Sequence, residues 1–230
     1  MPSALRDYLV SFTREEEIAR IAHEWRVAAG IENSAEFNII AFVEDILSKK
    51  LKKGPLHIEF FDMREGEHPA FVTFWPHITL HIDRDIWGNA KMGDPESRAI
   101  VAHEVGHIIL HDHHAKAFSY DRINPKFYVK ETSAEWQANI FADYFLLPDQ
   151  VVIAYWDVKE LAKSCSVTQA FARQRLNAVA EARHPKPKIE GDFCIKCGQF
   201  TVRRDGSVKC ACERDAVPGL DGSANGRRQQ

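Results

Sequence analysis

The apolar positions of the first fifty residues are spaced as on helices. "TREEEIARIAHEWRVAAG" opens on Thr13 as a cap, carries an acidic first turn and closes on Gly30. "SAEFNIIAFVEDILSKKLKKG" repeats the plan, with Ser34 opening it and Gly54 closing it. Shorter apolar runs rich in β-branched and aromatic residues follow: "LHIEFFDM", "AFVTFWP" and "ITLHID". With the charged turn "REGEHP" between the first two, they predict a small sheet. Helical spacing returns in "DPESRAIVAHEVGHIILHDHH", where Asp94 is the expected cap, Pro95 the first helical position and Glu96 part of the first turn. A polar, tyrosine-containing stretch, "AKAFSYDRINPKFYVK", reads as a loop. "ETSAEWQANIFADYFLLP" reads as a second strong helix that Pro148 terminates, and two or three shorter helices run on to about residue 182.

Composition changes this picture little. With 230 residues, 45% hydrophobic and 27% charged, the chain can bury one sizeable core and carry a small appendage. No run of about 18 apolar residues occurs, and "MPSALRDYLVSFTREEE" has no apolar stretch leading to a cleavage site, so neither a membrane span nor a signal peptide is legible. Four of the five cysteines crowd between residues 194 and 212, which suits a reducing compartment and a metal better than a secreted disulfide framework. The expected location is the cytoplasm. Charge is uneven: from residue 183 onward ten Lys/Arg face six Asp/Glu, whereas the rest of the chain holds 20 against 27. A basic tail on an acidic body hints at nucleic acid, although a solvated tail accounts for it equally simply. The expected division is a core domain over 1–182, a linker over 183–191 ("ARHPKPKIEGD" surrounds it), a cysteine-bearing module over 192–213 and a disordered tail over 214–230.

The stretch "AHEVGHIILHDHH" holds five histidines. His103, Glu104 and His107 form H-E-x-x-H on a capped helix whose apolar back is Ile100, Val101, Val105, Ile108 and Ile109. Residues four apart share a helix face, so both imidazoles can reach one ion. Glu104 is rotated by about 100° and flanks that ion, where it can take a proton from a metal-bound water. A catalytic zinc normally takes a third protein ligand. His111 lies about 12 Å along the axis from His103, too far for one ion to span both with His107. His113 is about 600° past His107 if the helix continues. Glu135, on the next strong helix, can approach the pair from the opposite side and is the favoured third ligand, with His113 as the alternative. His111, His113 and His114 are then expected to be solvated or substrate-facing. Asn139, one turn after Glu135, can accept a hydrogen bond from a ligand imidazole. Tyr120, Tyr128, His113 and His114 are candidate donors to a developing oxyanion, and residue types alone do not choose among them. The edge of "HITLHID" can hold an extended peptide by strand addition.

"AHEVGHIILHDH", followed after a loop by "EWQANIFADYFLLP", resembles the ImmA/IrrE family of zinc metallopeptidases. Ala102, His103, Glu104, Gly106 and His107 match its first block. Glu135, Ala138, Asn139, Phe141, Ala142, Leu146, Leu147 and Pro148 match most of its second, while Tyr144 and Phe145 are bulkier than is usual there. The resemblance implies His103, His107 and Glu135 as zinc ligands, Glu104 as catalytic base, and cleavage of a helix-turn-helix repressor that frees DNA-damage, mobile-element or phage-defence genes. "LAKSCSVTQAFARQRL", at about 159–182, is similar to the family's helix-turn-helix-like segment; its Arg173 and Arg175 read as an exposed face.

"CIKCGQFTVRRDGSVKCAC" pairs Cys194 with Cys197 and Cys210 with Cys212 across a hairpin turning at Asp205-Gly206. Four cysteines so placed predict a zinc ribbon, with C-x-C in the second pair a departure from C-x2-C. Phe200, Arg203 and Arg204 can contact single-stranded DNA, or the ribbon can dock a protein. Cys165 is most simply a buried small residue, the alternative being a regulatory thiol near the metal. The expected fold class is therefore α+β: a mainly helical zincin-like core with a small sheet, plus a small C-terminal ribbon. The expected function is zinc endopeptidase with one catalytic and one structural zinc, a repressor as protein substrate, single-stranded DNA as a possible activator and no membrane partner. The competing expectation is a non-catalytic module that binds DNA or a protein through the ribbon and the helix-turn-helix-like segment.

Overall fold

The computed structural model describes residue 7 and residues 9–64, 66–111 and 129–183. All of these but residue 183 belong to one compact unit, Met1–Ala182. Within it, helix α1 (Glu15–Ala28) is followed by a continuous helical stretch: α2 (Ile39–Ala41), a π-helical segment (Phe42–Leu47) and α3 (Ser48–Lys50). Strands β1 (Leu56–Phe61), β2 (Ala70–Thr73) and β3 (Ile78–Asp83) come next, then α4 (Arg84–Lys91) and α5 (Pro95–Leu110). A 3-10 turn (Lys130–Thr132) leads into α6 (Ala134–Leu146), and α7 (Asp149–Val152), α8 (Val158–Ser164) and α9 (Gln169–Arg183) complete the description. The α+β reading holds for this unit. No described helix is long and apolar enough to cross a membrane.

Several boundaries differ from those expected, for local reasons. The second helix begins at Ile39, capped by Asn38, whose side chain accepts from the N–H groups of Ile40 (3.0 Å) and Ala41 (3.1 Å). Ser34 is not the cap: a helix starting there would commit its carbonyl to residue 38, and that carbonyl instead accepts from Arg26 at 2.6 Å. Thr13 does not cap α1 either; its hydroxyl donates to Ser11 O. The helix opening at the 131 end starts three residues later than expected, at Ala134, with Ser133 Oγ accepting from Trp136 N at 2.9 Å. Helix α4 was not expected at all, because Gly88 interrupts its short apolar pattern; Asp83 caps it, accepting from Asp85 N and Ile86 N. The N-cap of α5 is as expected, with Asp94 accepting from Ser97 N at 2.8 Å, but the helix ends at Leu110, earlier than expected, because His111 is extended.

Among the described residues the sheet has the order β1-β3-β2. β3 runs parallel to β1 (Leu56 beside Ile78) and antiparallel to β2 (Ala70 beside Ile82). β3 is therefore central, with Ile78, Leu80 and Ile82 in the core, and has no free edge for a peptide. That corrects the expectation for "HITLHID": β2, not β3, lies at the edge.

The core is built from α1, the α2–α3 stretch, one face of the sheet, α5 and α6. Phe145, one of the bulky departures, is fully buried there, stacked on Phe141 and edge-on to Phe37. Helices α5 and α6 approach closely at Gly106. A Cβ on that residue would meet Ala138 Cα and O at 3.0 Å and Phe141 Cβ at 3.2 Å. Lys53 closes the other end of α5, its ammonium donating to the carbonyls of Ile109 (2.7 Å) and His111.

Candidate metal centre and active site

The close approach at Gly106 sets the first turn of α6 against the middle of α5, and three donor groups meet. His103 Nε2 and His107 Nε2 lie 3.0 Å apart. The Glu135 oxygens stand 3.1 Å from the first and 3.4 Å from the second. Tetrahedral ligands about 2.0–2.1 Å from a zinc ion are separated by about 3.3–3.4 Å, so the two nitrogens and the Glu135 carboxylate stand near the spacing that one ion would need. His103, His107 and Glu135 could hold a metal ion. Three protein donors are the number a catalytic zinc would take, with a further position for solvent or substrate.

The surrounding hydrogen bonds orient both imidazoles. His103 Nδ1 is 2.9 Å from Asn139 Oδ1, an acceptor, so Nδ1 carries the proton and Nε2 turns its lone pair to the cluster. Asn139 thus stands where the spacing placed it. Electrostatics favour positive charge at the same point. When His103 and His107 are also protonated on Nε2, their hydrogen bonds hold Glu135 far below the ordinary carboxylate range, and a metal ion would take the place of those protons. Burial opposes a proton on His103, yet Glu135, by hydrogen bond and charge, and the charge of Glu104 together raise its affinity for one.

Glu104 is 7% exposed and lies beside the ligands rather than among them. Burial raises its pKa, against the opposing pull of His107 and His103. A carboxylate whose proton affinity is raised suits general base work. His103, Glu104, His107, Glu135 and Asn139 line one cleft of about 500 Å³. Its wall includes Ala70, Phe71 and Val72, which brings the edge strand β2 alongside the donors.

His111 lines the cleft, one of its two expected places, and is not solvated: it is 5% exposed, its Nδ1 is 3.1 Å from His107 Nδ1, and its Nε2 is 3.2 Å from Gln137 Oε1. Burial, then the charge of His107, lowers its pKa to about 4, so it is neutral at pH 7. The i,i+4 spacing from His107 signalled this contact, which needs no shared ion. Gln137 carried no sequence signal, nor did His68 and Asp7, which also line the cleft. Asp7 reaches it because the N-terminal segment pairs with the start of α6, where Asp7 Oδ1 accepts from Glu135 N at 3.1 Å.

Two further readings fall on described residues. Cys165 is fully buried in the core and is not part of the cleft wall, and burial pushes its thiol up to about 11. Arg173 is exposed, but Arg175 is 3% exposed, because its guanidinium takes Leu147 O (3.1 Å) and Asp149 (2.6 Å) and lies over the Tyr144 ring. The oxyanion candidates His113, His114, Tyr120 and Tyr128 lie outside the described residues. So do Cys194, Cys197, Cys210 and Cys212, the expected ribbon, the tail and all of the expected linker beyond Arg183, which itself ends α9.

Residues 57–177, just over half of the chain, match the family described as IrrE N-terminal-like domain, Peptidase_M78. The chain belongs to this family. Neither the comparison with curated proteins nor that with solved structures gives a match. The IrrE N-terminal-like span takes in nearly all of the sheet, α5 and α6 with the donor cluster, and most of α9, and it ends before the cysteine cluster. Membership makes this a metallopeptidase-type hydrolase, in agreement with the donor cluster.

Proposed function

We propose that the protein is a zinc-dependent endopeptidase that cleaves a helix-turn-helix transcriptional repressor and so frees DNA-damage, mobile-element or phage-defence genes. The observation that carries the catalytic part is the convergence of His103, His107 and Glu135 in one cleft with the buried Glu104. The repressor substrate is what the family resemblance implies. A single-stranded DNA signal acting through a ribbon on Cys194, Cys197, Cys210 and Cys212 is proposed as the trigger, with a second, structural zinc in that ribbon.

His103, His107 and Glu135 would hold the catalytic ion, which supplies Lewis acidity toward a water and the scissile carbonyl. Asn139 keeps the His103 lone pair aimed at it. Glu104 takes the proton of the attacking water and hands it to the leaving amine. The substrate backbone pairs with the outer edge of β2 as an added strand, which lays its carbonyls along the cleft. His68 lines the same cleft and joins His113, His114, Tyr120 and Tyr128 as a candidate donor to the developing oxyanion.

The test is zinc content by elemental analysis together with cleavage of the repressor encoded nearest to the gene, with and without single-stranded DNA. The intact chain is expected to carry two zinc ions, and Glu135→Ala to lose one of them. Glu104→Gln is expected to keep both while cleavage falls by about 10²–10⁴-fold. A single zinc retained by Glu135→Ala, or unchanged cleavage by Glu104→Gln, would overturn the proposal.

A further inference from the structure

Gln137 is 2% exposed, and its side-chain amide is held on both sides. The amide nitrogen donates to Ser11 O and to Glu131 O, each at 2.8 Å. Both of its hydrogens are thereby used on carbonyls, which leaves the amide oxygen as an acceptor. That oxygen faces His111 Nε2 at 3.2 Å, so this nitrogen carries the imidazole proton. The neutral ring then has a bare lone pair on Nδ1. His107 Nδ1 stands 3.1 Å from it and must donate, which leaves His107 Nε2 unprotonated and turned toward Glu135 and His103.

We infer that Gln137 and His111 form a positioning relay that fixes the tautomer of His107 and so makes its Nε2 a metal donor. The direction of the relay is set at Gln137. Turning that amide over would press its oxygen against two carbonyls and point its N–H at His111 Nε2. Every proton in the chain would then reverse, and His107 would present an N–H to the metal position. Burial of both residues keeps water from substituting for either partner. The two histidine ligands are thus oriented by different devices. Asn139 acts on His103 in one step. His107 is reached through two side chains whose anchor, Ser11 O, belongs to the N-terminal segment.

This inference rests on the reading of the cluster as a metal site, and cobalt(II) separates the two. Bound by nitrogen and oxygen, cobalt shows ligand-field bands without the thiolate charge-transfer absorption of a cysteine site, so the two kinds of site can be titrated apart in the full chain. Absence of the nitrogen–oxygen signature from the unaltered protein would remove the metal-site reading and this inference with it. With that signature present, Gln137→Met and His111→Phe are expected to bind cobalt there about 10- to 100-fold more weakly. His111→Asn places an amide oxygen near the position of Nδ1 and is expected to recover most of the loss. Wild-type affinity in Gln137→Met and His111→Phe, with folding verified by circular dichroism, would overturn the relay. Equal weakening in His111→Phe and His111→Asn would overturn it too, because packing rather than an acceptor would then be what His107 needs.

Discussion

Asp143 and Glu104 are both carboxyls whose protonation burial favours, and their positions give that fact different meanings. Glu104 faces the cleft, where a raised proton affinity would suit the proposed general base. Asp143 lies on α6 away from the cleft wall, and burial raises its pKa to about 6 against the pull of Arg175. A folded-state pKa above the unfolded value of about 3.9 means that the native state binds the extra proton. The penalty is therefore absent below about pH 4, grows as pH rises to about 6 and stays constant above that. Asp143→Asn is expected to stabilise the protein by at most roughly 3 kcal/mol at pH 7, with the gain vanishing toward pH 4. Urea unfolding of both proteins across that range measures it, and a pH-independent difference would contradict the assignment. His111 teaches a complementary lesson at this scale. Its distance from His103 excluded it as a ligand, while its i,i+4 spacing from His107 allows a contact, and burial by Gln137 and the extended backbone at the end of α5 decided that the contact is dry.

The decisive relation between elements is the separation of α5 and α6. In α5 the capping signals Asp94, Pro95 and Glu96 lie next to the residues they serve, so the helix and the His103–His107 face were legible. Whether Glu135 reaches that face depends on how near two helices can come, and Gly106 sets this through its contact with the Ala138 backbone. Helix propensity alone would favour Gly106→Ala by about 1 kcal/mol. The added methyl meets main chain that cannot rotate away, and overpacking of this kind costs about 1–3 kcal/mol. Gly106→Ala is expected to unfold at a lower temperature in the presence of a chelator and to bind zinc more weakly in its absence. An unchanged metal affinity would show that the helix spacing has slack. The α2–α3 stretch shows the opposite case, where local signals misled. Ser34 is a good cap by type, but Arg26 claims its carbonyl and Arg98 claims that of Phe37 at 2.5 Å, so the helix waits for Asn38.

Among the described residues, the C-termini of α5, α6 and α8 are closed by cations from distant parts of the chain. Arg26 on α1 donates to Phe145 O at 2.6 Å and Arg175 on α9 to Leu147 O, both at the end of α6. Arg98 on α5 donates to Ser166 O and Cys165 O where α8 ends, and Lys53 serves α5. The last carbonyls of a helix lack partners within it, and the same end of the macrodipole attracts positive charge, so one guanidinium answers both needs. Arg173 and Arg175, two residues apart, test this. Arg175→Met is expected to destabilise by about 1–3 kcal/mol for the carbonyl it leaves unsatisfied, and Arg173→Met by no more than about 0.5 kcal/mol, both from urea midpoints. Equal effects would mean that Arg175 contributes packing alone.

By itself, the sequence determined the elements whose signals are local: the N-cap of α5, the Pro148 stop after α6, the three short strands, the His103–His107 face with Glu104 beside it, and Glu135 as the favoured partner. Periodicity and capping act within one or two turns, so they survive in the order of residues. The tertiary structure alone decided the rest: the central place of β3 and the edge place of β2, the burial of Arg175, and the relay from Gln137 through His111 to His107. Those depend on which chain segments meet across separations of tens of residues, where one buried hydrogen bond outweighs any local preference.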